Sequence, residues 1–156
     1  MNNTNRPSHA EKAVACFKEG FACSQAVLCS FAEDFGLDKD MALKLASGFG
    51  GGMGRMAQTC GAVTGAYMVI GLKHGATSGQ DRTAKEHAYQ VVREFNDRFK
   101  DRNPSLICKE LLKCDISTPA GLQEAKQNGL LTTTCPKLVR DAAEIIEEML
   151  EEKTKP

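Results

Sequence analysis

The sequence predicts an all-α fold, a single helical domain of about seven or eight helices around a central apolar helix. Three observations carry this. Ala and Leu far outnumber Val and Ile, a balance that favours helix over strand. Apolar residues recur at helical spacing along most of the chain, and no run alternates as a half-buried strand would. The stretch 60–73 is apolar on nearly every side, as expected of a helix surrounded by others. With 156 residues, 42% hydrophobic and 26% charged, the chain can bury a core of its own.

The elements follow from local signals. Residues 1–7 read as a tail, 8–152 as the domain and 153–156 as a second tail. Ser8 with Glu11 forms a capping-box pattern, opening a helix that runs to about Glu19 and stops at Gly20. A second helix runs from about Ala22 to Asp34, with Ala26, Val27, Phe31 and Phe35 at helical spacing and Gly36 as its end. Asp38 caps a third helix whose apolar side is Met41, Leu43, Leu45 and Ala46. The glycine-rich run 48–54 has no helical or strand period and reads as a loop. Thr59 caps the apolar fourth helix, 60–73, in which Gly61 and Gly65 lie four apart on one face and would admit a neighbouring backbone. Residues 80–100 form a long amphipathic helix with a stripe of Ala84, Ala88, Val91, Val92, Phe95 and Phe99. Pro104 opens a short helix, Ser117 caps the next, and the last opens at Pro136 with Cys135 as its cap.

Charge and patterning narrow the function. Lys+Arg and Asp+Glu are both 20, with no basic block, which argues against nucleic acid as a partner. No apolar run reaches the roughly 18–20 residues of a membrane span. The N-terminal stretch has no apolar signal segment, and the cysteine count is an odd seven. Both point to a reducing, cytoplasmic setting in which cysteines are buried fillers, metal ligands or redox groups.

On this map Cys23, Cys60, Cys108 and Cys135 fall at or near helix starts, where free backbone N–H groups and the helix dipole favour thiolate. These four are the candidate redox-active thiols and the candidate ligands of a metal or cofactor, with Gly61 and Gly65 counted as cofactor-binding positions. Their separations of 37, 48 and 27 residues do not suit the close pairs of a structural zinc site. No C-x-x-C and no C-x-x-C-H occurs, so a thioredoxin motif and covalent haem are not expected. Cys16, Cys29 and Cys114 read as fillers. Cys16, seven residues before Cys23, has a second reading as support for the cavity cysteines.

The segments CSQAV at Cys23, CGAVTG at Cys60, SLICKELL at Cys108 and CPKLVRDAAEII at Cys135 resemble the C_GCAxxG_C_C family of small bacterial redox-active proteins, from about residue 10 to 150. In this chain Gly61 follows the cysteine of the motif. Similar domains occur in split-Soret cytochromes, which carry an iron–sulfur centre beside haem. The resemblance implies a helical domain whose four cysteines hold an iron–sulfur cluster or cycle between thiol and disulfide in electron transfer. It also implies an unidentified redox partner protein. A zinc or copper(I) module is the alternative, and a homodimer is a candidate assembly.

Other features read more simply. GFGGGMG at 48–54 lacks the Lys-Ser/Thr of a phosphate loop and reads as a tight turn, or as backbone passing close to the cysteines or forming a flexible lid over them. Arg55 and Gln58 flank Cys60 as a candidate charge partner or donor, with a solvated surface position the commoner outcome for Arg55. His9, His74 and His87 read as surface residues. Glu144, Glu147, Glu148, Glu151 and Glu152 read as a solvated helical face.

Overall fold

The computed structural model describes residues 6–152, so expected tail residues 1–5 and 153–156 lie outside the described residues. Eight α-helices follow one another: α1 (His9–Lys18), α2 (Cys23–Ala32), α3 (Lys39–Ala46), α4 (Gly61–His74), α5 (Arg82–Arg102), α6 (Cys108–Leu112), α7 (Pro119–Gln127) and α8 (Leu130–Glu152). Among the described residues there is no strand, only one isolated antiparallel bridge between Thr59 and Ile107. No helix among them is long and apolar enough to cross a membrane.

The local signals act where the backbone alone decides. Ser8 Oγ accepts from the Glu11 N–H at 3.1 Å and Glu11 accepts from the Ser8 N–H at 2.7 Å, so the capping box forms in full. Replacing Ser8 with Ala is expected to cost about 1 kcal/mol, read as a fall of roughly 2–4 °C in Tm. Asp38 accepts from Met41 N–H at 3.0 Å and caps α3. Gly36, at φ +68, ends the short 3-10 turn that extends α2.

Packing places the apolar α4 at the centre, against α2, α5 and α8, while α1 lies over α2 and α8. Phe31, Phe95, Phe99, Val63, Val69 and Ile145 are fully buried between these helices. A smaller cluster of Ala57, Cys108, Leu112, Ile116, Ala125 and Cys135 joins the end of the glycine loop to α6, α7 and α8.

Several expectations are corrected. The buried side of α3 is Ala42 and Ala46, while Met41 and Leu45 are about half exposed, because only the small residues fit against α2. Thr59 does not cap α4; Cys60 occupies the cap position and Thr59 pairs with Ile107. The helix expected at Pro104 begins only at Cys108, because the preceding backbone bonds to residues 57–60 instead of to itself. Thr118, not Ser117, caps α7, accepting from Gly121 N–H at 3.0 Å. The last helix starts at Leu130, so Pro136 and Cys135 lie inside it. Leu130 and Leu131 pack on the smaller cluster and draw the helix six residues further back than its proline suggests.

Side chains read as solvated also find partners. Glu144 and Glu148 bind Arg102 at 2.7 and 2.9 Å, and Glu152 binds Arg98 at 2.7 Å, joining α8 to α5. The His9 ring stacks on Phe31 with centroids 4.2 Å apart, and its nitrogens meet Asp34 at 2.6 Å and Glu147 at 2.8 Å. His74 and His87 meet edge to face at 4.8 Å.

Candidate functional site: a cavity lined by four cysteines

Cys23 is the first residue of α2, and the start of that helix is pinned on both sides. The Gln25 side chain accepts from the Ala22 N–H at 2.8 Å and donates to the Leu43 carbonyl at 3.0 Å. The buried Ser24 hydroxyl donates to the Ala46 carbonyl at 2.7 Å. The start of α4 lies directly against this turn. A Cβ at Gly61 would come within 3.1 Å of Ser24 N and 3.2 Å of Cys23 Cβ, and one at Gly65 within 2.8 Å of Ser24 O. Glycine at both positions therefore lets the two backbones touch, which brings Cys60 beside Cys23. Gly61 borders the cavity, whereas Gly65, counted above as a cofactor-binding position, sits one turn along in the helix contact and is not part of the lining.

Cys108 arrives by a backbone strap. Cys60 N–H donates to Leu106 O at 2.8 Å, Cys108 N–H to Gln58 O at 2.6 Å, and Lys109 N–H to Ala57 O at 3.2 Å. The strap is anchored by a polar knot in which Asn103 and Asp141 are buried and Lys137 reaches in from the surface. Asn103 Nδ2 donates to Asp141 Oδ2 at 3.0 Å, and Lys137 Nζ donates to both Asp141 at 2.6 Å and Asn103 Oδ1 at 2.9 Å. Cys135, on α8, completes the set.

All four cysteines line one cavity of about 570 Å³. Its rim is the glycine loop. Met53, Arg55 and Ala57 there hold φ of 68°, 63° and 57°, left-handed conformations that side-chain-bearing residues adopt at a cost of about 1–3 kcal/mol each. Arg55 and Lys126 are the charged side chains of the lining, and both are positive. Arg55 was singled out from the sequence; Lys126 was not, because its place depends on how α7 docks. The Gln58 side chain does not reach the lining, and its carbonyl serves the strap instead. Cys114 sits at the edge of the smaller cluster, outside the lining.

The thiol electrostatics differ from the expectation that each helix start would favour thiolate. Burial pushes Cys108 up to about 12 and Cys60 up to about 11, although the Ala62 and Val63 amides pull Cys60 the other way. Removal from water outweighs the helix start at both positions. Cys23 is raised well above the ordinary thiol range, first because its thiol donates toward Cys135 and then by burial. Cys135 alone is lowered, and its cause is that hydrogen bond from Cys23. The one acidified thiol is thus the one that is not at a helix start.

Three helix starts and one helix interior therefore surround a cavity with sulfur and two cationic groups, the architecture of an all-α thiol-site protein. The chain belongs to the family described as "Putative redox-active protein (C_GCAxxG_C_C)", whose model matches residues 21–149. No curated protein and no solved structure matches it.

Proposed function

We propose that the chain is a thiol–disulfide redox protein in which Cys135 is the attacking thiolate and Cys23 the resolving thiol. The observation that carries this is the pairing of Cys23 with Cys135 in the wall of one open cavity, where the neighbouring Cys23 thiol lowers the Cys135 pKa. Cys135 attacks a disulfide on a redox partner. A bond forms from Cys135 to one partner sulfur, the partner's S–S bond breaks, and its second sulfur leaves as a thiol. Cys23 then gives up its proton and attacks Cys135, forming the Cys23–Cys135 disulfide and releasing the other partner sulfur. The reverse sequence reduces the chain. Arg55 and Lys126 favour a partner that is acidic around its disulfide.

A second reading has its own support. Four sulfurs and two cationic side chains around one cavity suit an anionic iron–sulfur cluster held by Cys23, Cys60, Cys108 and Cys135. Such a cluster would supply one-electron transfer. Against it, no three His, Cys, Asp or Glu side chains among the described residues gather closely enough to hold a metal ion. The same spacing weighs against zinc or copper(I). The thiol pair is preferred because Cys23 and Cys135 already act on each other's acidity within one cavity.

The test uses the full chain with Cys29→Ser, since the tryptic peptide 19–39 carries both Cys23 and Cys29. Glutathione disulfide should join that peptide to the one containing Cys135, and Cys135→Ser should abolish the link. Cys23→Ala should slow alkylation of Cys135 at neutral pH by about tenfold, because loss of the donor raises the Cys135 pKa and lowers its thiolate fraction. No Cys23–Cys135 link, together with iron and sulfide in anaerobically purified protein, would replace the thiol reading with the cluster.

A further inference from the structure

Cys16 and Cys29 play no part in the cavity, and the structure pairs them with each other. Cys16 is near the end of α1 and Cys29 near the end of α2, two helices packed side by side. Each thiol lies near enough to the other to shift its acidity. Both are partly exposed. Neither belongs to the lining of the four-cysteine cavity. Cys29 instead opens onto a separate hollow of about 420 Å³ beside Gly36, Asp38 and Lys39, at the turn between α2 and α3. The expected support of Cys23 by Cys16 is thus replaced by a different partner.

We propose that Cys16 and Cys29 form a second dithiol site, oxidised reversibly by low-molecular-weight disulfides that reach Cys29 through its hollow. Cys29 sulfur attacks the small disulfide, forming a mixed disulfide as the small molecule's S–S bond breaks and one thiol leaves with the proton. Cys16 loses its proton and attacks the Cys29 sulfur, forming the Cys16–Cys29 bond and releasing the second small thiol. Two cysteine thiols are oxidised by two electrons, and one small disulfide is reduced to two thiols. Burial raises the Cys29 thiol above its ordinary range and Glu19 adds to the rise, while Lys39 and the neighbouring Cys16 thiol pull it back toward the thiolate. The new bond would staple α1 to α2 and close the loop that contains Gly20, Phe21 and Ala22, which form part of the cavity wall. The site therefore lets the thiol–disulfide balance of the surroundings stiffen one side of the main cavity. It depends on none of the chemistry assigned to Cys23 and Cys135.

The experiment uses the full chain carrying Cys23→Ser, so that peptide 19–39 retains Cys29 alone. After incubation with glutathione disulfide and digestion without reductant, peptide 13–18 should be joined to 19–39, with the combined mass lighter by two hydrogens. The link should vanish with dithiothreitol and be absent in a second variant that also carries Cys29→Ser. Oxidation should also raise Tm by roughly 5–10 °C, a rise that Cys16→Ser removes. Glutathione adducts on Cys16 and Cys29 without a link, or neither residue modified, would overturn the proposal. The main-cavity test follows a different linked peptide in a different variant, so either site can fail alone.

Discussion

Replacing Gly52 with Ala is expected to lower stability by about 3 kcal/mol, seen as a fall in Tm of roughly 6–12 °C, and to expose Cys108 to alkylation. Gly52 is buried and holds φ +72, which side-chain-bearing residues tolerate poorly. A Cβ there would lie 2.6 Å from Gln58 N and 2.8 Å from Cys108 Cβ. The first of these contacts is backbone and cannot rotate away. Gln58 N–H donates to Gly52 O at 3.0 Å and Gln58 O accepts from Cys108 N–H, so a shift at Gly52 passes straight into the strap that carries Cys108. Gly48→Ala is the control. Its Cβ meets nothing within 4 Å, and its effect should be within about 0.5 kcal/mol. A Gly52→Ala chain as stable as the parent, with Cys108 equally protected, would show that the loop does not position that cysteine.

Asp141→Ala should cost about 2–3 kcal/mol and move the other side of the same strap. Asp141 and Asn103 are 8% and 6% exposed, so once its carboxylate partner is gone the Asn103 amide has little water to turn to and keeps only its longer bond to the Phe99 carbonyl at 3.3 Å. Lys137 is left with Asn103 alone, and Arg102, 3.7 Å from Asp141, with its two glutamates. Asn103→Leu in the Asp141→Leu chain should recover part of the loss, because an apolar pair leaves no orphaned donor. Hydrogen exchange at the Cys60 and Cys108 amides is the readout that separates strap loosening from general destabilisation. Both amides donate across the strap, at 2.8 and 2.6 Å, and both should exchange faster in Asp141→Ala.

Both variants act on the segment where the sequence reading was least complete. The capping box at Ser8 and Glu11, the cap at Asp38 and the apolar α4 were legible because each is decided within a turn or two of its own residues. The error at Pro104 arose because proline at a first helical position is a sound local rule that the bonds from 106–109 to 57–60 override. The error at Pro136 has the opposite origin. A helix start marked by proline was extended back to Leu130, because two leucines found a cluster assembled from α6 and α7.

The site divides in the same way. The four cysteines were identifiable by their motif, and Gly61 and Gly65 by their spacing on an apolar helix. Their electrostatics were not. A helix start is a local property, and it predicted acidified thiols at Cys60 and Cys108. Burial is a property of the whole fold, and it reverses both.

What this sequence determines by itself is therefore its helices and the positions of its sulfurs along them. The backbone forms and ends helices through contacts only three or four residues apart. Which sulfur meets which was decided by tertiary structure alone. Cys23 and Cys135 lie on two different helices, as do Cys16 and Cys29. A thiol's acidity is set by the water it loses and the neighbour it gains, and neither is written within a few residues of the cysteine.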